Sequence, residues 1–184
     1  MTHAQLTTRN GFPAVRLSAQ LPPPMGKLWQ KACTAEGLNT WFPFSVEFEP
    51  AIGAHIRFTA RTHTPDGVEI AGAELEGRDA FDGTITNLVD PEVLSFTFGI
   101  GHEVTITLSN DGAKTTFALV EQLAEENEAA RSAAGWHQSV AKLERDCGVD
   151  SPELDWERLY DRYIEEGFPS GAPVPGRDGE GTIV

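Results

Sequence analysis

The sequence predicts an α+β fold in which a curved antiparallel sheet wraps around a long C-terminal helix. Between residues 44 and 123, apolar and polar side chains alternate in six successive segments, which is the period of half-buried strands. From about Ala129 to Cys147, Trp136, Val140 and Leu143 instead recur at helical spacing. A sheet that is apolar on one face needs a cover, and we expect this helix to supply it.

The elements before the sheet are predicted to be one strand and two short helices. Alternation from Ala14 to Leu21 indicates a strand, which ends at the prolines of residues 22–24. The segment MGKLWQKAC then has one apolar face, and Thr34 is a suitable N-cap for a second short helix, AEGLNTWF. Pro43 prevents that helix from continuing.

The six segments of the predicted meander are separated by recognisable turn residues. The strands are FSVEF, HIRFTART, GTITNLV, VLSFTF, EVTITL and TTFALVEQL, and the breaks are PAIG, TPDG, VDPE, FGIGH and SNDG. Most strands place apolar residues on a single face, but the facing of GTITNLV stays open because Thr84, Thr86 and Leu88 disturb its alternation.

Residues 1–148 are predicted to form one domain, and residues 149–184 to form an extension. Gly148 is a natural stop for the long helix. In the extension, Ser151 as N-cap and Pro152 as first helical residue indicate a short helix at about 152–166. The tail beyond that helix is rich in proline and glycine, so we expect it to be extended. The short helix carries an apolar stripe that could pair two copies of the chain or bind another protein: Trp156, Leu159, Tyr160, Tyr163 and Ile164.

The charge of the chain argues against nucleic acid and anionic membranes as partners. It has 28 acidic and 14 basic residues, a formal net charge of −14, without a basic patch. The opening residues carry no apolar signal region, and no segment approaches the roughly 20 apolar residues that span a bilayer. We therefore expect a cytoplasmic protein.

Metal and cofactor chemistry is not expected. Cys33 and Cys147 lie far apart without a CxxC spacing, which favours two ordinary thiols over a zinc site or a disulfide. His102 and His137 each lack further ligands at metal spacing. The segment GIGHE has no lysine and fits a hairpin better than a phosphate loop. No GxSxG motif is present, and nothing favours a catalytic triad over chance.

Four short motifs occur in the order found in one superfamily. They are LWQKACTAEGLNTWF, AIGAHIRF, GTITNLVDPEVLSFTF and GWHQSVAKL. Together the chain from about Val15 to Cys147 resembles the START-like or SRPBCC superfamily, whose helix-grip fold includes the birch pollen allergen, and within it the branch named for the activator of heat-shock ATPase homologues. The longer connection at residues 62–79 departs from that pattern. The extension resembles tails of some bacterial members, so a bacterial source is expected.

The resemblance implies an internal cavity between the apolar face of the sheet and the long helix. Alternation and helical spacing nominate the residues that would line it, with Trp136 at one end: Trp41, Phe44, Val46, Ile56, Phe58, Phe96, Phe98, Phe117, Leu119, Glu121, Trp136 and Val140. Glu121 shares the parity of Phe117 and Leu119, which would turn it inward, but the favoured interpretation is that the strand frays there and leaves Glu121 in water. Inside, it would be a candidate for ligand orientation or acid–base work.

Three functions stay open at this point. The first is a binding module that takes up a small hydrophobic or aromatic molecule, which the aromatic inner face favours. The second is a protein-interaction module resembling the chaperone activators, which would use the outer face or the stripe of the extension. The third is a cyclase or dehydratase-type enzyme, for which Glu121 and Thr86 are the available polar groups. We rank the binding module first, and we expect no catalysis.

Overall fold

The computed structural model describes residues 2–61, 80–112 and 114–174. In these ranges the chain forms an eight-stranded antiparallel sheet in the order β1-β2-β8-β7-β6-β5-β4-β3, together with four α-helices. The strands are β1 Gln5–Arg9, β2 Phe12–Leu21, β3 Phe44–Phe48, β4 His55–Ala60, β5 Ala80–Val89, β6 Val93–Thr97, β7 Glu103–Asp111 and β8 Lys114–Gln122. The helices are α1 Met25–Ala32, α2 Ala35–Trp41, α3 Ala129–Asp146 and α4 Trp156–Glu165.

The predicted fold class is confirmed, including the curved sheet and the long helix that covers it. Each of the six segments of the meander forms a strand, although β5 begins at Ala80, three residues before the predicted GTITNLV segment. The register of β5 against β6 shifts between Ile85 and Asn87. That irregularity is the physical reason why the facing of this segment was ambiguous, since a bulge interrupts strict alternation. The TPDG turn and the connection 62–79 lie outside the described residues.

One strand was missed at the N-terminus. Strand β1 pairs with β2 through a tight hairpin in which Arg9 lies opposite Phe12. Four of its five residues are exposed, and Leu6 is its one large apolar side chain, so alternation gave no signal. The dipeptide Asn10–Gly11 was the available sequence signal for this hairpin. Both residues have positive φ, 53° and 84°, as a two-residue hairpin turn requires.

The two short helices pack tightly against each other because of one glycine. The side chain of Thr34 accepts a hydrogen bond from the Gly37 amide at 3.1 Å, as the predicted N-cap requires. A Cβ placed on Gly37 would lie 2.2 Å from the carbonyl oxygen of Gln30. A side chain at this position would therefore push α2 away from α1.

Helix α3 lies against the apolar face of the sheet with the predicted stripe inward. Trp136, Val140 and Leu143 are buried on it, and Gly148, with a φ of 79°, follows its end. The core continues onto the sheet through Leu17 of β2 and Ile106 of β7. None of the helices in the described ranges is long and apolar enough to cross a membrane.

The extension folds back onto α3, and its helix starts later than predicted. Helix α4 begins at Trp156 with Asp155 as N-cap, whose side chain accepts the amide hydrogen of Arg158 at 2.9 Å. The predicted cap at Ser151 is wrong, because the Ser151 hydroxyl donates to Glu144 Oε2 at 2.7 Å instead.

The predicted interaction stripe is largely covered by the chain itself. Leu159, Tyr160 and Tyr163 are buried and Trp156 is half-buried, whereas Ile164 stays 39% exposed. An open apolar face for a second protein was therefore the wrong expectation for the three buried residues. They contribute to the hydrophobic core of the same chain.

Candidate functional site

The interior between the sheet and α3 holds one connected group of aromatic rings, which we call the aromatic cluster. Neighbouring rings lie with centroids 4.9 to 6.5 Å apart, in stacked, tilted and edge-to-face arrangements that aromatic side chains favour. Helix α2, strands β3 to β6 and β8, and helix α3 contribute. The members are Trp41, Phe42, Phe44, Phe58, Phe81, Phe96, Phe98, Phe117 and Trp136.

The structure brings the predicted lining residues into this one interior. Ten of the twelve are buried, and two are half-buried: Phe44 and Phe98. Alternation along the strands therefore located the inner face correctly. Whether these side chains contact a ligand stays a prediction. The buried ones are Trp41, Val46, Ile56, Phe58, Phe96, Phe117, Leu119, Glu121, Trp136 and Val140.

Two rings of the cluster were not predicted. Phe42 follows the end of α2, and its ring centroid lies 5.2 Å from that of Trp136. Its extended backbone, φ −68° and ψ 146°, is what a residue before proline adopts, so Pro43 was the signal that it leaves the helix. Phe81 stacks on Phe58 at 4.9 Å. It was missed because it precedes the predicted start of its strand.

The cluster reaches the surface at one end. Phe44, Phe81 and Phe98 are half-buried, and each ring contacts the other two, with centroids 5.2 to 5.6 Å apart. We call these three residues the open end. From it, Phe98 leads inward to Trp136 at 5.9 Å. A flat apolar molecule at this end would thus meet a continuous aromatic surface that extends into the core.

Glu121 is buried inside rather than exposed to water. The side chain is 2% exposed, and its Oε2 accepts a hydrogen bond from the Trp136 indole nitrogen at 2.7 Å. Its Oε1 lies 2.9 Å from Nδ1 of His102. Because each carboxylate oxygen has a donor, the arrangement fixes the indole of Trp136 and favours a positioning role over proton transfer.

His102 bridges two carboxylates at the Trp136 end of the cluster. Its Nε2 lies 3.2 Å from Glu128, which also pairs with Arg131 at 2.9 Å. Burial acts to lower the pKa of His102, but the hydrogen bonds and charges of Glu121 and Glu128 outweigh it, so the pKa is raised. With a carboxylate at each ring nitrogen, the imidazolium form donates to both.

A second buried polar group joins the N-terminus, α3 and α4. The Tyr163 hydroxyl accepts the amide hydrogen of Ala4 at 2.9 Å and lies 2.7 Å from Nδ1 of His137. Burial, followed by the charges of His3 and Arg162, lowers the pKa of His137 to about 4. His137 is therefore neutral at pH 7, and it holds the extension in place rather than serving the aromatic cluster.

The N-terminus, α3 and the extension also meet at a second buried group, the carboxylate of Glu144. Glu144 is buried on α3 and accepts hydrogen bonds from Thr2 and Ser151.

Within the ranges 2–61, 80–112 and 114–174, no three His, Cys, Asp or Glu side chains are placed to hold a metal ion together.

Comparison with known families decides the identity of the fold. The family model described as Activator of Hsp90 ATPase homolog 1-like protein matches residues 23–146. The chain belongs to this family. The match spans α1 to the end of α3, which are the elements that surround the aromatic cluster, and it places the protein in the SRPBCC superfamily with its helix-grip fold.

Solved structures share this family architecture at low sequence identity. The crystal structure of CalU16 from Micromonospora echinospora is 17% identical, with a TM-score of 0.65 over 90% of this chain and 95% of that one. The solution structure of the BPP1335 protein from Bordetella parapertussis is 22% identical, with a TM-score of 0.66 over 84% and 85%. DynU16, a protein in the dynemicin biosynthetic locus, is 21% identical, with a TM-score of 0.57 over 77% and 49%. No curated protein matches the chain.

Proposed function

We propose that this protein binds a small hydrophobic or aromatic molecule through the aromatic cluster. The observation that carries the proposal is the open end, where Phe44, Phe81 and Phe98 contact one another and remain half-buried. A soluble domain normally covers such rings completely or disperses them, whereas here they lead from solvent to the buried indole of Trp136. The place of DynU16 in a biosynthetic locus suits a fold used for small molecules.

The other two functions have less support from the described residues. A protein-interaction surface on α4 would need its stripe to be free, but Leu159 and Tyr163 are buried against the domain. An enzyme would need a free acid or base beside the apolar wall, but both oxygens of Glu121 already have donors. We therefore place ligand binding first.

Two further proposals concern the whole chain. We propose that residues 1–148 form the ligand-binding domain and that residues 149–184 are an appended extension. The buried bond between Tyr163 and His137 supports the idea that the extension braces α3. We also propose a cytoplasmic location, on the argument from composition given above.

The binding proposal is tested with N-phenyl-1-naphthylamine, a probe whose fluorescence rises in apolar surroundings. The full-length protein should bind it, and Phe44→Ala and Phe98→Ala should each weaken binding by about tenfold, as removal of an aromatic contact of 1 to 2 kcal/mol implies. Val89→Ala, at a 45% exposed residue outside the cluster, is the control and should bind like wild type. The proposal is wrong if the wild type gives no fluorescence rise or if all four proteins bind equally.

A further inference from the structure

Strand β1 forms a free edge of the sheet. It is the terminal strand of the sheet order, and within the described ranges it pairs only with β2. Pro13 of β2 lies opposite Thr8, and its carbonyl oxygen accepts the amide hydrogen of Leu123 at 2.8 Å, on the side away from β1. Because backbone groups alternate in direction along an antiparallel pair, those of Thr8 and Leu6 point out of the sheet edge. No hydrogen bond from the part of the chain that the structure describes reaches them.

The sequence of β1 does little to prevent another strand from pairing there. Natural sheets usually protect an edge with lysine, proline or a bulge. In β1, QLTTR, the one charged residue is Arg9, and its guanidinium is directed to Glu103 and Thr105 of β7. Leu6 is 48% exposed at the same edge. The edge therefore offers backbone donors and acceptors beside an open apolar side chain.

A groove of about 290 Å³ lies along this edge. The hairpin of β1 and β2 forms one wall, and the start of α3 together with the extension forms the other. The residues that line the groove include Leu6, Thr8, Pro13, Glu126, Ala129 and Pro169. The amide of Ala130 donates to the carbonyl oxygen of Pro169 at 3.0 Å, which holds the second wall in place. A strand added to β1 would direct alternate side chains into this groove.

The charge at the groove is negative. Glu126 is exposed, and its carboxylate forms no ion pair or side-chain hydrogen bond with the described residues. Glu128, by contrast, pairs with Arg131 at 2.9 Å and with His102 at 3.2 Å. The net charge of the chain is −14, so a second copy would bring like charge to this edge. A positively charged segment is the complementary partner.

We propose that the β1 edge and this groove bind an extended segment of another protein as an added strand, with aliphatic side chains in the groove and a lysine or arginine at Glu126. Backbone hydrogen bonds to Leu6 and Thr8 supply the pairing, and the groove and the carboxylate select the sequence. The proposal does not depend on ligand binding, because none of these residues belongs to the aromatic cluster.

The test is a nuclear magnetic resonance titration of the full-length protein with two acetylated and amidated peptides. The peptide KTVKVTK, extended, places its valines on one face with a lysine at each end of that face. The peptide ETVEVTE has the same pattern with the charge reversed. The basic peptide should shift the amide signals of Leu6 and Thr8. It should bind about tenfold more tightly than the acidic peptide at low salt, and this difference should shrink at high salt.

Matched variants locate the contact. Glu126→Gln should weaken binding of the basic peptide about threefold, whereas Glu49→Gln, which removes another exposed charge just after β3, should change it less than about twofold. Leu6→Lys should weaken binding about tenfold, since it removes an apolar contact and brings a like charge to the peptide. Ile52→Lys is the control with the same change of charge, at a 65% exposed residue between β3 and β4, and should bind like wild type.

The proposal is overturned if the wild type binds neither peptide, or if it binds both equally without shifts at Leu6 and Thr8. Equal effects of Glu126→Gln and Glu49→Gln would also overturn it, and this pair decides the matter should Leu6→Lys fail to fold. Sedimentation velocity of the protein alone tests for self-pairing. A monomer supports a different protein as the occupant. A dimer that Leu6→Lys dissociates and Ile52→Lys does not would make the occupant a second copy and contradict the proposal.

Discussion

Glu121 shows at the scale of one residue how the interior tolerates a charge. It lies among apolar residues of β8, opposite Val104 of β7 and Val15 of β2, yet it has a donor for each oxygen. A buried carboxylate without those donors would be strongly unfavourable. The aromatic cluster, the positions of Trp136 and His102, and the burial of Glu121 therefore depend on one another.

Removing this carboxylate should destabilise the protein. Glu121→Ala leaves the Trp136 N–H and Nδ1 of His102 without their acceptor, at a cost of about 2 to 5 kcal/mol in the free energy of unfolding. Urea denaturation at pH 7 measures it. Gln122→Ala is the control, because among the described residues that side chain makes only a long, exposed hydrogen bond with Asn10, and its loss should cost under about 0.5 kcal/mol. Equal losses in both variants would show that Glu121 has no special role.

His102 should make stability depend on pH. Its folded pKa is raised, so the stability that it contributes is complete below the unfolded pKa of about 6.5 and is lost as pH rises through the folded value. The difference in unfolding free energy between wild type and His102→Gln should therefore shrink from pH 6 to pH 9. Urea denaturation across this range measures the difference, and parallel curves for the two proteins would contradict the assignment.

Single residues also show how far sequence patterns reach. Alternation placed Phe58, Phe96 and Phe117 on the inner face, because strand geometry alone decides which way they point. It could not show whether Glu121 is shielded from water, since that depends on His102, just before β7, and on Trp136 of α3, which no strand pattern brings to it. Phe42 was missed because its inward direction comes from the pre-proline backbone, not from any periodicity.

At the scale of elements, two helical glycines should respond oppositely to the same change. A Cβ on Gly37 of α2 would lie 2.2 Å from backbone of α1, so Gly37→Ala should destabilise by about 3 kcal/mol or more. On Gly135 of α3, within the part of the chain that the structure describes, it would meet only Nε1 of Trp156, at 3.8 Å, so Gly135→Ala should stabilise by up to about 1 kcal/mol. Thermal or urea unfolding compares them. A loss of stability in Gly135→Ala would show that α3 packs more closely than the structure indicates.

The contact between α3, α4 and the N-terminus through His137 and Tyr163 should stabilise the folded state less in acid. The pKa of His137 is lowered to about 4, so the folded state resists protonation that the unfolded chain accepts below about 6.5. Stability from this group is complete above pH 6.5 and declines as pH falls toward 4. His137→Leu should remove that part of the decline, which urea midpoints between pH 7 and 4.5 measure. An unchanged decline in the variant would assign it to other groups.

Elements with one strong internal pattern were predictable, and those fixed by tertiary contacts were not. Helix α3 follows from its apolar stripe and its stop at Gly148. The start of α4 could not be predicted from such a pattern. Ser151 is a residue type that favours the N-cap position, but its hydroxyl donates a hydrogen bond to Glu144 instead. Strand β1 has one large apolar residue, Leu6, and depends on its pairing with β2.

At the scale of the whole molecule, the order of motifs was enough to predict the architecture and the family. The function is harder to predict from the sequence, because ligand binding depends on a few atoms at the edge of the cluster.

The surface also offers a competing apolar region on the hairpin of β1 and β2, where Leu6 and Phe12 are 48% and 50% exposed. A hydrophobic probe could bind there without any relation to the interior.

Intermolecular nuclear Overhauser effects separate these two sites most directly. With N-phenyl-1-naphthylamine bound to the full-length protein, we predict contacts from the probe to ring protons of Phe44, Phe98 and Trp136. Contacts confined to Leu6 and Phe12, or the absence of any intermolecular contact, would contradict ligand binding at the aromatic cluster.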